Sequence, residues 1–105
     1  DYDRDGHMDL YVGNMYSAAG GRVAFQRRFL PGADAPTRAE FQRHARGNSL
    51  FRNLGDGRFA DTSVASNTTL GRWAWGSLFV DLNGDGWQDL AVANGMFTRP
   101  DPGDL

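Results

Sequence analysis

The sequence predicts an all-β chain assembled from repeats, and three observations carry that reading. An aspartate-dense stretch of nine residues occurs twice, at 1–9 and 81–89, and each copy runs straight into a short apolar segment, Leu10-Tyr11-Val12 or Leu90-Ala91-Val92-Ala93. Between the copies, Asp56-Gly57 lies in a turn between two apolar-patterned segments, a strong short-range hairpin signal. The run Trp75–Val80 leading into the second copy is aromatic-rich, as strands often are.

Laid over one another, the two copies match at Asp1/Asp81, Asp5/Asp85, Gly6/Gly86, Asp9/Asp89, Leu10/Leu90, Val12/Val92 and Asn14/Asn94, while Asp3 meets Asn83 and an oxygen is kept. This is an internal repeat, and repeats bury their apolar faces by stacking on neighbours. Trp75–Val80 has no counterpart before Asp1, so the chain reads as a piece of a longer array, with sheet edges that neighbouring repeats cover.

The elements follow in order. Loop 1–9 leads to a strand at Leu10–Val12, and an insertion at 15–47 interrupts the repeat. Within it, Ser17–Gly21 predicts a flexible turn, Val23–Leu30 a short strand or extended arm, and Pro31-Gly32 its end. Thr37-Arg38-Ala39-Glu40 matches a capping box, with Phe41 and Ala45 one helical turn apart and Gly47 placed to stop a short helix. The hairpin spans 48–62: Asn48–Asn53, a Leu54–Gly57 turn, then Arg58–Thr62. Ser63–Gly71 connects to a strand within Arg72–Val80, and Thr98–Asp104 is turn material.

Composition narrows the chemistry. There are no cysteines, hence no disulfide framework and no thiolate ligand or nucleophile. A net charge of −2 selects no partner class, and no nucleic-acid partner is expected. No apolar run approaches the roughly 18 residues of a membrane span, so no membrane insertion is expected. The acidic residues are concentrated: of twelve aspartates, seven lie in the two loops.

In the loops, oxygen-bearing side chains stand at positions 1, 3, 5 and 9, with glycine at position 6. Hard cations such as Ca²⁺ take six to eight oxygens, and a tight loop supplies several from alternate residues. Glycine permits the left-handed turn that folds the loop around an ion. Without a cation the clustered carboxylates repel one another. An EF-hand is excluded, because position 12 holds Val12 or Val92 instead of a bidentate glutamate. A dockerin loop also wants an acid there, and thrombospondin-type repeats bring cysteines.

With the ninth-position aspartate entering a strand directly, and the hairpin Asn48–Phe59 between the loops, the chain resembles FG-GAP/VCBS-type integrin-like β-propeller repeats. Its nearest likeness is to the cartilage acidic protein and UnbV-like (ASPIC/UnbV) group, over 1–14, 48–62 and 75–95. The resemblance implies an all-β fragment, about one blade plus parts of its neighbours, of a β-propeller with calcium-binding loops and a short helical insertion. It implies Ca²⁺ held by the side chains of Asp1, Asp3, Asp5 and Asp9 with the carbonyl of His7. In the second loop it implies Asp81, Asn83, Asp85 and Asp89 with the carbonyl of Trp87. Asn83 removes one charge and should weaken that site.

The function expected from this resemblance is structural calcium supporting recognition of a protein or glycan, outside the cell, at its surface or in the periplasm. The stretch would pack on further blades of the same chain. The alternative is the non-catalytic propeller scaffold of a larger secreted enzyme acting on polysaccharide. No catalytic residue is expected. His7 should point to solvent, His44 lies among arginines, and Ser49, Ser63 and Ser77 lack the glycines of a nucleophile elbow. Arg22, Arg27, Arg28, Arg38, Arg43 and Arg46 face only Asp34 and Glu40 in the insertion. They read as a solvated surface, with an anionic glycan or acidic protein as the functional alternative. Trp73 and Trp75 suit the wedge between blades better than a sugar platform. Asn67-Thr68-Thr69 is a glycosylation sequon.

Overall fold

A computed structural model describes residues 1–15, 18–71 and 73–95. Five strands and two helices follow one another: β1 (Leu10–Val12), α1 (Ala18–Ala24), α2 (Ala35–Ala45), β2 (Ser49–Asn53), β3 (Phe59–Asp61), β4 (Ala74–Val80) and β5 (Asp89–Asn94). They form two antiparallel sheets, β1-β2-β3 and β4-β5. The mostly-β chain with a short helical insertion is the expected class. The expected strand at Leu10–Val12 pairs Tyr11 with Leu50. The hairpin pairs Arg52 with Ala60, closing over Leu54–Arg58 through the Leu54 N–H to the Arg58 carbonyl at 2.9 Å.

The sheets pack against each other through aromatic rings. Phe79 of β4 stacks on Tyr2 at 6.2 Å and meets Tyr11 edge-on at 6.5 Å. The Tyr11 hydroxyl donates to the Thr68 carbonyl at 3.2 Å, and burial raises its pKa above the usual phenol value. Ser63 and Asn48 are fully buried polar groups that brace the first sheet where it faces this contact. Ser63 Oγ accepts from the Leu50 N–H at 2.9 Å, and Asn48 Oδ1 accepts from the Asn14 N–H at 2.7 Å. Among the described residues the buried apolar side chains are Ala24, Leu50 and Ala74, whereas Leu78 and Leu82 are more than half exposed. Apolar faces this open are what stacked repeats cover. Trp75, 66% exposed, donates its indole N–H to the Gly95 carbonyl at 2.6 Å, and Trp73 bridges to Met15.

The insertion differs from its sequence reading. The predicted turn at Ser17–Gly21 and the arm at Val23–Leu30 give way to α1, followed by turns through Gly32. Tertiary contacts override the two glycines and the β-branched valine. Ala24 is buried, its carbonyl accepts from Gln42 Nε2 at 3.2 Å, and Phe29 meets Phe41 edge-on at 5.8 Å. The second helix forms, but its cap is Asp34, not Thr37. The Asp34 carboxylate accepts from the Thr37 N–H at 2.9 Å, and Pro36 sits in the first turn, where no N–H is missed. Gly47 ends it as expected, at φ +126° and facing the Thr69 carbonyl, a place no side chain could enter. Of the insertion's arginines, read as a solvated surface, Arg43 and Arg46 reach Asp61 on β3 at 3.4 and 3.1 Å, and Arg38 donates to the Leu30 carbonyl at 3.0 Å. Arg22, Arg27 and Arg28 are exposed. The turn material at Thr98–Asp104 lies outside the described residues, as do Arg72 and Ser17.

Candidate metal centre

The two acidic loops share four hydrogen bonds, and the second adds two more, from the Gly84 and Asp85 N–H groups to Asp81 at 2.7 and 3.2 Å. In each, the first aspartate accepts from the N–H of the sixth-position glycine, at 3.3 Å from Gly6 and 2.8 Å from Gly86. The third residue, Asp3 or Asn83, accepts from the fifth N–H at 3.2 or 3.0 Å. The fifth, Asp5 or Asp85, accepts from the seventh, His7 at 2.9 Å or Trp87 at 2.8 Å. The ninth, Asp9 or Asp89, accepts from the second, Tyr2 or Leu82, at 3.0 Å in both. Gly6 and Gly86 take φ +87° and +83°, which their lack of a Cβ permits. The fourth residue is left-handed too. That suits Gly84 at +76° and leaves Arg4 strained at +61°.

These bonds shift charge as well as shape. The N–H of His7, then the Arg52 guanidinium, hold the Asp5 carboxyl below its usual pKa. At Asp85 the Trp87 N–H is the main cause of the same downward shift, with the Asn83 side chain next and the charge of Arg4 contributing.

Carboxylate oxygens of Asp1, Asp3 and Asp9 all lie within 4.8 Å of one another. Two oxygens that share one Ca²⁺ at its usual 2.3–2.6 Å stand no more than about 5 Å apart, so this donor set fits one such ion. Asp5 is not in that group. Its second oxygen takes the Arg52 Nη2 at 3.0 Å, while Arg52 Nε lies 2.5 Å from Asp3. In the second loop the carboxylates do not meet in such a group among the described residues, and the Asn83 amide donates to Asp85 at 2.9 Å.

The first loop is also anchored to the hairpin. Asp9, whose side chain is fully buried, accepts from the Asn53 N–H at 2.9 Å, and Asn53 Nδ2 donates to the Met8 carbonyl at 3.0 Å. The His7 ring lies against Gly55 rather than in open solvent, although the residue as a whole is exposed. Between the loops, the Arg4 guanidinium sits 4.0 Å over the Trp87 ring. Arg52, Asn53 and Arg4 are the residues that sequence reasoning missed. The signal available was the Arg52-Asn53 pair ending the strand before the Asp56-Gly57 turn.

Blades of antiparallel strands, each with a nine-residue acidic loop running into its strand, define a repeat of the β-propeller kind. The chain belongs to the FG-GAP-like repeat family, whose family model matches residues 1–92. No curated protein and no solved structure matches the chain significantly. No helix among the described residues is long and apolar enough to cross a membrane.

Proposed function

We propose that residues 1–9 and 81–89 hold structural Ca²⁺ ions in an extracellular, cell-surface or periplasmic propeller that binds a protein or glycan. The observation that carries this is the convergence of Asp1, Asp3 and Asp9, in a loop whose hydrogen bonds are repeated at 81–89. In the first loop the ion would be held by Asp1, Asp3 and Asp9, joined by Asp5 and the His7 carbonyl. In the second it would be held by Asp81, Asn83, Asp85, Asp89 and the Trp87 carbonyl. The hairpin Asn48–Phe59 supports membership of the cartilage acidic protein and UnbV-like group. The ion's chemistry is to neutralise the clustered carboxylates and fix the loops. We assign the loops no catalytic part, since a catalytic ion needs an acid or base beside an open position. Binding to the folded loop alone adds stability, roughly 2.7 kcal/mol at a hundredfold excess over Kd. Millimolar calcium outside cells suits such a role.

Calorimetric titration of the full-length protein tests this. Calcium should bind well ahead of magnesium, which demands a tighter octahedron. Asp85→Ala should remove one site. No heat of binding, or equal affinity for magnesium, would count against the reading.

A further inference from the structure

Arg52 is placed on the first loop in a way that nothing matches at the second among the described residues. Its guanidinium bridges two carboxylates, Nε on Asp3 at 2.5 Å and Nη2 on Asp5 at 3.0 Å. It is delivered from β2, across 47 residues of sequence from Asp5. Both oxygens of each acid are thereby used. Asp3 also accepts from the Asp5 N–H, and Asp5 from the His7 N–H. That pull accounts for Asp5 standing apart from the Asp1, Asp3 and Asp9 group. At the second loop the matching oxygen of Asp85 is held by the neutral Asn83 amide. Arg4 approaches there, but it lies over the Trp87 ring and forms no ion pair with Asp81, Asp85 or Asp89 among the described residues.

We propose that Arg52 sets the cation affinity of the first loop: it serves as a built-in counter-cation on Asp3 and Asp5, and a divalent ion must displace its guanidinium to gain Asp5. The inference rests on the reading of the loops as calcium sites. A planar guanidinium fork suits this role because it can donate to two oxygens at once, whereas an ammonium is a point charge. Because the side chain is rooted in β2, filling the loop with an ion also frees the hairpin of one tether. The first loop thus has one more carboxylate than the second, yet a positive charge already sits on two of them. Arg52 is an affinity-tuning residue, not a ligand.

The test is calcium titration of the full-length protein, comparing the parent with Arg52→Gln, Arg52→Lys and Arg52→Gln combined with Asp9→Asn. Arg52→Gln should tighten one site by about tenfold at low salt, the factor lost with a unit charge about 5 Å from a divalent ion at the dielectric of water. The gain should shrink in high salt, where such charges are screened. It should vanish once Asp9→Asn has disabled that loop. Arg52→Lys keeps the charge without the fork, so its affinity should fall between the parent and Arg52→Gln. A cooperative calcium-free melt shows which variants fold, and Arg52→Lys carries the test if Arg52→Gln does not. If calcium binds the parent but neither variant tightens it, or lysine tightens it as much as glutamine, the proposal is overturned and the calcium reading stands. If calcium binds neither parent nor variants, the calcium reading falls and takes the proposal with it.

Discussion

Gly71 lies where the sheets meet, and replacing it tests how that seam is held. A Cβ there would stand 3.1 Å from Asn48 Cγ, with Nδ2 closer still, and 3.4 Å from a Val92 methyl. Asn48 is 1% exposed and holds the Asn14 N–H at 2.7 Å, so it has no free direction in which to move. Overpacking of this kind costs about 1–3 kcal/mol. Displacing the Asn14 bond adds about 1 kcal/mol, for a loss of roughly 2–4 kcal/mol in Gly71→Ala. Gly71 is not in the left-handed region, so its backbone accepts alanine and the clash with Asn48 is the main term. A double-mutant cycle by urea unfolding separates the two. Asn48→Ala is costly alone, but in its background Gly71→Ala should cost under about 1 kcal/mol, a coupling of about 1–3 kcal/mol. Gly47→Ala is the control, because its Cβ would meet the Thr69 backbone carbonyl at φ +126° and no side-chain deletion can relieve it. If Gly71→Ala costs as much with Ala at position 48 as with Asn, the seam is not held as described.

Two further predictions concern the blade and its insertion. Ser63→Ala leaves the buried Leu50 N–H without its acceptor, so it should cost about 1–3 kcal/mol, read as a lower urea midpoint at unchanged slope. Acid should loosen the insertion. Asp34 is held below its usual pKa by Thr37, side chain then backbone, so protonation uncaps α2. At Asp61 burial pulls upward, but hydrogen bonds from Ser63 and Arg46 outweigh it. Both folded-state pKa values lie below the unfolded ones, so this stability is complete at neutral pH and is lost as pH falls below about 4. Helix circular dichroism and amide exchange of α2 should report the loss in chelator. Asp34→Asn, which keeps a capping oxygen, should flatten its acid limb, and an unchanged limb would remove Asp34 from the explanation.

What can be read from the sequence is what depends on neighbours in the chain. The hairpin at 48–62 is legible because Asp56-Gly57 and the flanking alternation fix a turn locally. The equivalence of the loops is legible because the same residue types must accept the same backbone N–H groups. The cap of α2 lies three residues before its expected place, because Asp34 and Thr37 both have the chemistry of a cap. Pro36 is the clue, since it is favoured in a first turn. Helix α1 is hidden because Gly20-Gly21 weakens any helix, and the contact that holds its end, the Ala24 carbonyl accepting from Gln42, comes from α2. Arg52 is invisible as a partner of Asp5 because only the pairing of β1 with β2 brings it there.

The hydrogen bonds in the loops explain why one short pattern can serve both shape and ion. An aspartate in a tight turn accepts from a backbone N–H two residues on, and this alone favours the turn. Asp5 and Asp85 do so, and Asp3 and Asn83 do likewise. The ninth aspartate closes the ring by accepting from the second residue's N–H in both loops. The loop is therefore largely shaped by its own carboxylates before any cation arrives, and a carboxylate retains acceptor capacity after taking one N–H. Less ordering would remain to be done if a cation bound, which would favour affinity. The same logic explains the substitution at position 3. Asn83 keeps the acceptor that shapes the turn, at 3.0 Å to the Asp85 N–H, and gives up only a charge. The turn needs an oxygen at that position, whereas under the proposed calcium reading the charge there would tune affinity, as Arg52 would from outside the loop.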